Sequence, residues 1–276
     1  MRQGAFIVRG GTRRKVGDVP VPPDTPLFWF LPPVMTIPMR WLGPATLATL
    51  AAAWACSDEA GPVQTPVEWY EVSTPAGVLD VAVVPPAEPG TSYHPVLLAL
   101  PWGSGATDLT ESFVSRYWGE APAASGYYVV APAIYGPQLE DDAEQILPAL
   151  FEWVEATLRA DAETIALVGA SNGGIGAFFA ALADPTRFDA MLVMPGLYEG
   201  DPDNLAALVD IPIRMIVGEL DTTWVEATLA TEGALESVGI VPTVDIADAQ
   251  GHVMNLRGEG LVGWIDEAIG RRPEGE

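Results

Sequence analysis

From residue 67 to residue 270, short runs of apolar residues alternate with longer amphipathic stretches. Six runs are continuous enough for buried strands: PVLLALP at 95–101, YYVVAPA at 127–133, TIALVGA at 164–170, FDAMLVM at 188–194, IPIRMIVG at 211–218 and VPTVDIAD at 241–248. Ahead of them, VEWYEVS and GVLDVAVVPP alternate polar and apolar residues, the period of an antiparallel opening pair. Helical periodicity is clearest in EDDAEQILPALFEWVEATLRA, where Ile146, Leu150, Val154 and Leu158 recur every fourth position. Pro148 falls inside that pattern and is expected to kink or restart the helix. Buried strands alternating with helices predict an α/β fold with a mostly parallel sheet covered on both faces. No internal repeat is present.

In such a sheet, reactive residues gather at the carboxyl ends of strands, where loops vary without disturbing the core. One of these ends stands out: in ALVGASNGGIGAFFA, residues 166–180, an apolar run stops at a serine flanked by glycines. Gly169-Ala170-Ser171-Asn172-Gly173 reads GxSxG between a predicted strand and a predicted helix, the setting of a nucleophile elbow. The glycines have a mechanical reason. A serine held at strained dihedrals leaves no space for side chains between the strand and the helix it joins.

A serine hydroxyl needs a base within hydrogen-bond reach, and the chain has two histidines. His94 precedes its strand, at the wrong edge of the sheet, and reads as a surface or packing residue. His252, in AQGHVMN, follows the last strand at its carboxyl end and is the candidate base. The orienting carboxylate belongs between serine and histidine in chain order. Asp221, in VGELDTTW, lies just past the strand IPIRMIVG, with Glu219 its nearest competitor and Asp245 and Asp248 more remote.

GASNGG with Ser171, GELD with Asp221 and GH with His252 together resemble the α/β-hydrolase superfamily, specifically its small esterases similar to dienelactone hydrolases and polyhydroxybutyrate-depolymerase-like esterases. The likeness spans roughly residues 67–270 and implies Ser171 as nucleophile, His252 as general base and Asp221 as its orienting acid. Dienelactone hydrolases proper use a cysteine where Ser171 stands, so their substrate is not implied. Many relatives carry a His-Gly pair after the first central parallel strand, whereas this chain reads ALPWGSG. An oxyanion hole built from backbone N–H groups tolerates that change. Pro101 has no N–H, so the donors are Asn172 together with Trp102 or Gly103, and Trp102 is equally placed to wall an acyl pocket. Tyr117, Trp118, Tyr135, Tyr198 and Trp224 fall in segments that could overhang the site, for recognition or for packing. The stretch between Met194 and Asp221 is too short for a large helical cap.

Charge narrows the partners. The formal net charge is −24. Residues 57–276 carry seven arginines and no lysine against 35 acids, a field that repels phosphate backbones and argues against nucleic-acid binding. The single cysteine cannot form an internal disulfide, and no zinc-like Cys/His spacing exists, so neither metal nor cofactor is expected. Three functions suit these features: hydrolysis of small carboxylic esters, a serine peptidase or amidase with the same three residues, or a non-catalytic surface lipoprotein. The sequence sets no oligomeric state.

MRWLGPATLATLAAAWAC, residues 39–56, has a basic residue, an apolar region and small residues before Cys56. It resembles a bacterial lipoprotein signal with AWAC as lipobox, more than a transmembrane anchor, which needs roughly 20 apolar residues. The expected organisation is therefore an extension and signal over 1–56, in which residues 1–38 are either a long leading region or lie ahead of a translation start at Met35 or Met39. A 57–66 tether, a catalytic domain over 67–270 and a 271–276 tail follow. A lipid on Cys56 would hold the acidic body at the cell envelope without a basic patch. Full-length protein made in a bacterium is expected to fractionate with membranes and to leave them in detergent but not in high salt, whereas Cys56→Ser should lose the lipid. Intact Met1 on cytosolic protein would contradict this.

Overall fold

A computed structural model describes residues 67–88 and 90–271. The extension, the signal-like segment with Cys56, the 57–66 tether and residues 272–276 lie outside the described residues. Eight strands, β1 (Glu68–Thr74), β2 (Gly77–Val84), β3 (His94–Leu100), β4 (Tyr128–Pro132), β5 (Ala160–Gly169), β6 (Ala190–Val193), β7 (Ile213–Gly218) and β8 (Thr243–Ala247), form one sheet. Its spatial order is β1-β2-β4-β3-β5-β6-β7-β8. β1 pairs antiparallel with β2, and β2 with β4; from β4 onward every neighbour is parallel.

Helices α1 (Thr107–Phe113), α2 (Ala121–Ala124), α3 (Leu139–Thr157), α4 (Asn172–Ala183) and α5 (Thr222–Ser237) lie in the connections between strands, and α6 (Gly258–Ala268) follows β8. Because side chains alternate along a strand, each central strand feeds two cores. Val83, Leu98 and Leu167 pack with Leu150 of α3, Phe178 of α4 and Leu235 of α5 on one face. Their neighbours Val84, Leu97 and Val168 pack with Phe113, Trp118, Leu261 and Ile265 on the other. Strands buried on both faces must be apolar at every position, which is why the central runs are continuous. The doubly covered, mostly parallel sheet with its antiparallel opening pair is the architecture expected from the sequence, and among the described residues no large cap covers it.

Three local expectations change. α3 runs continuously from Leu139 to Thr157 through Pro148, so the helix does not restart there. Pro148 and Glu144, whose carbonyl loses its helical donor, both face solvent, so water can take the orphaned carbonyl. β5 begins at Ala160, ahead of the apolar run. Ala160 and Asp161 pair with His94 and Pro95 before the register jumps to Val96↔Ile165, a link no apolar pattern announces. β8 is not a buried strand but half-exposed, with Ile246 43% exposed, because it ends the sheet and has a neighbour on one side only.

The chain's last helix is fastened by a polar cluster. The Tyr127 hydroxyl donates to Asp266 Oδ1 at 2.7 Å, Arg271 Nη1 donates to the same oxygen at 3.1 Å, and Arg271 Nη2 donates to the Ser125 carbonyl at 3.2 Å. The Arg271 guanidinium also lies 4.7 Å from the centre of the Tyr127 ring. Burial, then the bond to Asp266, pushes the Tyr127 phenol far above its ordinary value near 10. A raised folded-state value means the folded protein holds this proton where the unfolded chain has released it. The associated stability is complete below about pH 10 and is lost progressively above it. Tyr127→Phe is expected to destabilise the protein by about 2 kcal/mol at neutral pH, the range for a hydrogen bond to a charged partner, and to flatten the alkaline decline. Urea melts at pH 7 and above pH 10 check both; an unchanged alkaline slope would remove Tyr127 as its source.

Candidate active site

The turn between β5 and α4 is set by backbone crowding. Ser171 has φ 55° and ψ −119°, and with Ala249 it is one of two non-glycine residues at positive φ among the described residues. Such a conformation costs on the order of 1–3 kcal/mol. Two hydrogen bonds oppose that cost: the Ser171 N–H donates to the Pro195 carbonyl at 2.8 Å, and its own carbonyl accepts from Ile175 N–H at 3.0 Å. A Cβ on Gly169 would lie 2.2 Å from the Gly173 carbonyl oxygen, and one on Gly173 would lie 2.1 Å from that of Leu100. Both clashes are with backbone and cannot be relieved by rotating a side chain. The GxSxG spacing is thus a packing requirement of this turn.

The loops after β7 and β8 bring two distant residues to the serine. His252 Nε2 is 2.9 Å from Ser171 Oγ, and His252 Nδ1 is 2.5 Å from Asp221 Oδ2. A carboxylate only accepts, so Nδ1 carries the proton and the Nε2 lone pair faces the serine hydroxyl. Asp221 is 17% exposed and His252 38%, so the pair is shielded on the acid side and open on the side where a substrate arrives. The Trp224 ring packs against the imidazole with centroids 5.1 Å apart.

Two of the competing acids have other partners. Glu219 accepts the Ala249 N–H at 2.8 Å and so ties the β7 loop to the β8 loop. Asp245 holds Arg214 at 2.7 Å, and Asp248 is exposed. His94 sits at the amino end of β3, where its Nδ1 donates to the Gly126 carbonyl at 2.9 Å, far from the carboxyl edge.

Contacts the sequence did not single out hold the histidine loop. Asn255 N–H donates to Gln250 Oε1 at 2.6 Å, closing the loop on itself. Met254 N–H donates to the Tyr117 hydroxyl at 3.1 Å. Tyr117 and Trp118 are 2% and 1% exposed and so cannot overhang the site; they belong to the core, in the wide helical turn Val114–Trp118. Burial raises the Tyr117 phenol, partly opposed by the Met254 N–H it accepts, so it stays neutral. Tyr198 also packs, its ring against Phe178 and Phe179. Of the five aromatics, Tyr135 and Trp224 remain at the open edge.

The loop after β3 completes the arrangement. Asn172 Nδ2 donates to the Gly103 carbonyl at 2.9 Å, binding that loop to the start of α4. The Trp102 ring meets Phe113 and Tyr117 edge to face at 5.4 and 5.5 Å, which makes it a part of the second core and not a free wall. The loop after β3 therefore runs beside the first N–H of α4, and the Trp102, Gly103 and Asn172 amides donate to no group among the described residues. Chemically, this is a hydroxyl with a base, an oriented tautomer, and backbone donors near the serine.

Residues 113–228 match a family model described as "Putative esterase". The matched segment contains Ser171 and Asp221 and ends before His252. No curated protein matches the chain. Among solved structures, a thermostable esterase is similar with 16% identity and a TM-score of 0.57, over 73% of this chain and 62% of its own. The S-formylglutathione hydrolase of Agrobacterium tumefaciens is similar with 19% identity and a TM-score of 0.53, over 74% of this chain and 92% of its own. The acylaminoacyl peptidase of Pyrococcus horikoshii is similar with 16% identity and a TM-score of 0.55, over 77% of this chain but 43% of its own. The chain thus spans less than two thirds of the first of these.

If the hydrogen-bonded chain activates Ser171, a fluorophosphonate probe should label wild-type protein at that residue and leave Ser171→Ala unlabelled. Asp221→Asn should slow labelling by orders of magnitude, in line with the roughly 10⁴-fold loss seen when a triad acid is made an amide. Glu219→Gln should lower thermal stability while changing labelling by less than tenfold. A larger effect from Glu219→Gln than from Asp221→Asn would reverse the assignment.

Proposed function

We propose, from the premise that this chain has the α/β-hydrolase fold, that it is a serine hydrolase that cleaves carboxylic esters through an acyl-serine intermediate. The observation that carries the reading is the continuous relay Asp221–His252–Ser171 at the carboxyl edge of the sheet. His252 Nε2 takes the hydroxyl proton as Ser171 Oγ attacks the ester carbon, and Asp221 stabilises the imidazolium that forms. Charge developing on the former carbonyl oxygen is met by the Asn172 N–H and by that of Trp102 or Gly103. The tetrahedral intermediate collapses, breaking the bond to the alkoxy oxygen, which receives the proton from His252 and departs as the alcohol. Water then attacks the acyl-serine, again giving a proton to His252, and the carboxylic acid leaves while Ser171 regains its hydrogen. No redox equivalent or metal enters this balance.

The esterase family match over residues 113–228 supports an ester over an amide substrate. The relay itself would serve a peptidase equally well, and similar structures include peptidases of which this chain spans less than half. We further place the activity outside the cytoplasm, supported by the signal-like stretch that ends at Cys56.

The test is a panel of p-nitrophenyl esters and aminoacyl p-nitroanilides given to the full chain. Expected are a kcat/KM at least a hundredfold higher for the esters, loss of turnover in Ser171→Ala, and no response to a chelator. Anilide turnover matching that of the esters would make the protein an amidase or peptidase. Labelling at Ser171 without turnover of any substrate would reduce it to a binding protein.

A further inference from the structure

The candidate oxyanion donors come from two separate chain segments: Asn172 at the start of α4, and Trp102 or Gly103 in the loop after β3. Donors stabilise developing charge only when they are in place before it forms. Whatever fixes one segment against the other therefore bears on the rate.

The α4 side is rigid. A Cβ on Gly136 would lie 1.9 Å from the Asn172 carbonyl oxygen, and one on Gly173 would lie 2.5 Å from that of Pro101, so backbone packs on backbone around the helix start. The loop after β3 is held at its two ends. The Trp102 ring packs against Phe113 and Tyr117, and a Cβ on Gly105 would lie 1.8 Å from the Ile134 carbonyl oxygen. Between these ends lies a tight turn, closed by the Gly105 N–H donating to the Trp102 carbonyl at 3.2 Å. Gly103, at φ 63°, is its first central residue, the place a type II′ turn gives to glycine. Its tip, Gly103–Ser104, projects at the carboxyl edge with Ser104 exposed. The Gly103 carbonyl accepts from Asn172 Nδ2 at 2.9 Å, and among the described residues no other hydrogen bond reaches Gly103 or Ser104.

An asparagine side chain at a helix start commonly bonds the backbone near itself. This one instead crosses 69 residues of sequence to the loop after β3. Resting on the acyl-serine reading above, we propose that the Asn172 side chain is a positioning residue that clamps the two halves of the oxyanion hole together. The residue after the nucleophile then acts twice, through its backbone N–H as a donor and through its carboxamide as the tie to the other donor. The chemistry of the pair fits the role: a carbonyl needs a donor, which an amide supplies and an ionised carboxylate does not.

The experiment compares wild type, Asn172→Ala and Asn172→Asp on p-nitrophenyl acetate, well below their melting temperatures, and measures inhibition by trifluoroacetone. Ser171 Oγ adds to the carbonyl of this ketone while the hydroxyl proton passes to His252, and the hemiketal oxygen carries the negative charge. Its affinity thus reads the oxyanion hole without turnover. Losing one oxyanion donor outright costs roughly 10²–10³ in kcat, so a donor that is present but loosened is expected to cost about tenfold to a hundredfold in Asn172→Ala. KM is expected to stay within about threefold, because the lost interaction belongs to the transition state, and trifluoroacetone should weaken by the same factor as kcat. Asn172→Asp keeps the shape and is expected to lose more, since its carboxylate repels both the Gly103 carbonyl and the oxyanion; it decides alone if Asn172→Ala does not fold. A kcat near that of the wild type in a folded variant, a rise in KM in place of a fall in kcat, or unchanged trifluoroacetone affinity would each overturn the clamp. Collapse of both variants would also overturn it, by making the side chain a support of the fold. A wild type labelled at Ser171 but inert to the ester leaves the decision to trifluoroacetone affinity. A wild type with neither turnover nor a labelled Ser171 would instead overturn the hydrolase reading, and the clamp with it.

Discussion

Ser171 occupies a backbone conformation that an L-residue avoids, and much of the carboxyl edge of the sheet is arranged so that it stays there. The strain is on the order of 1–3 kcal/mol, comparable with the net worth of the two backbone hydrogen bonds that hold the turn. Neither bond alone would suffice. What makes the conformation stable is that β5 is locked between β3 and β6, so the strand cannot retreat, while α4 is packed so closely that Gly169 and Gly173 leave no space for a methyl group. Relaxing the serine would mean moving a central strand or a core helix, at a cost well above the local strain.

Rigid strands also explain how one carboxylate is chosen from so many. With 37 acids in the chain, proximity in sequence to a plausible loop is a weak criterion. The parallel pairing of β7 with β8, Gly218 opposite Ala247, sets the two following loops side by side. Glu219 then reaches across to the Ala249 amide and clips the loops together, which leaves Asp221, two residues further on, opposite His252. The neighbouring acid builds the geometry in which its competitor meets the imidazole. Asp245 is neutralised by Arg214 one strand-length back and plays no part at the edge.

The aromatic residues show how a core can position a site from below. Trp102 in the loop after β3 touches Tyr117, and the Tyr117 hydroxyl accepts the Met254 amide in the histidine loop. One buried ring thus contacts both the loop that carries candidate oxyanion donors and the loop that carries His252. A movement of the Val114–Trp118 turn would shift both together, which keeps their relative placement constant even if the turn itself adjusts.

Much of this was legible in the residues themselves. Continuous apolar runs mark strands buried on both faces, because both pleat directions meet a helix layer, and this set the fold class. The strained turn at Ser171 was legible because steric crowding between a strand and a helix imposes glycines at fixed offsets, and the placement of His252 at the carboxyl edge because the chain offers only two imidazoles and one of them starts a strand. The unbroken α3 through Pro148, the early start of β5 and the half-exposed β8 were not legible. Each depends on where an element lies in the sheet or which side meets water, and hydrophobic periodicity does not carry that. The supports at Tyr117 and the Asn172 side chain arise from contacts between segments distant in sequence, and Gln250 closes the histidine loop on itself. Loop conformations have no period, so only the assembled sheet, by fixing where each loop begins and ends, determined which of their side chains meet.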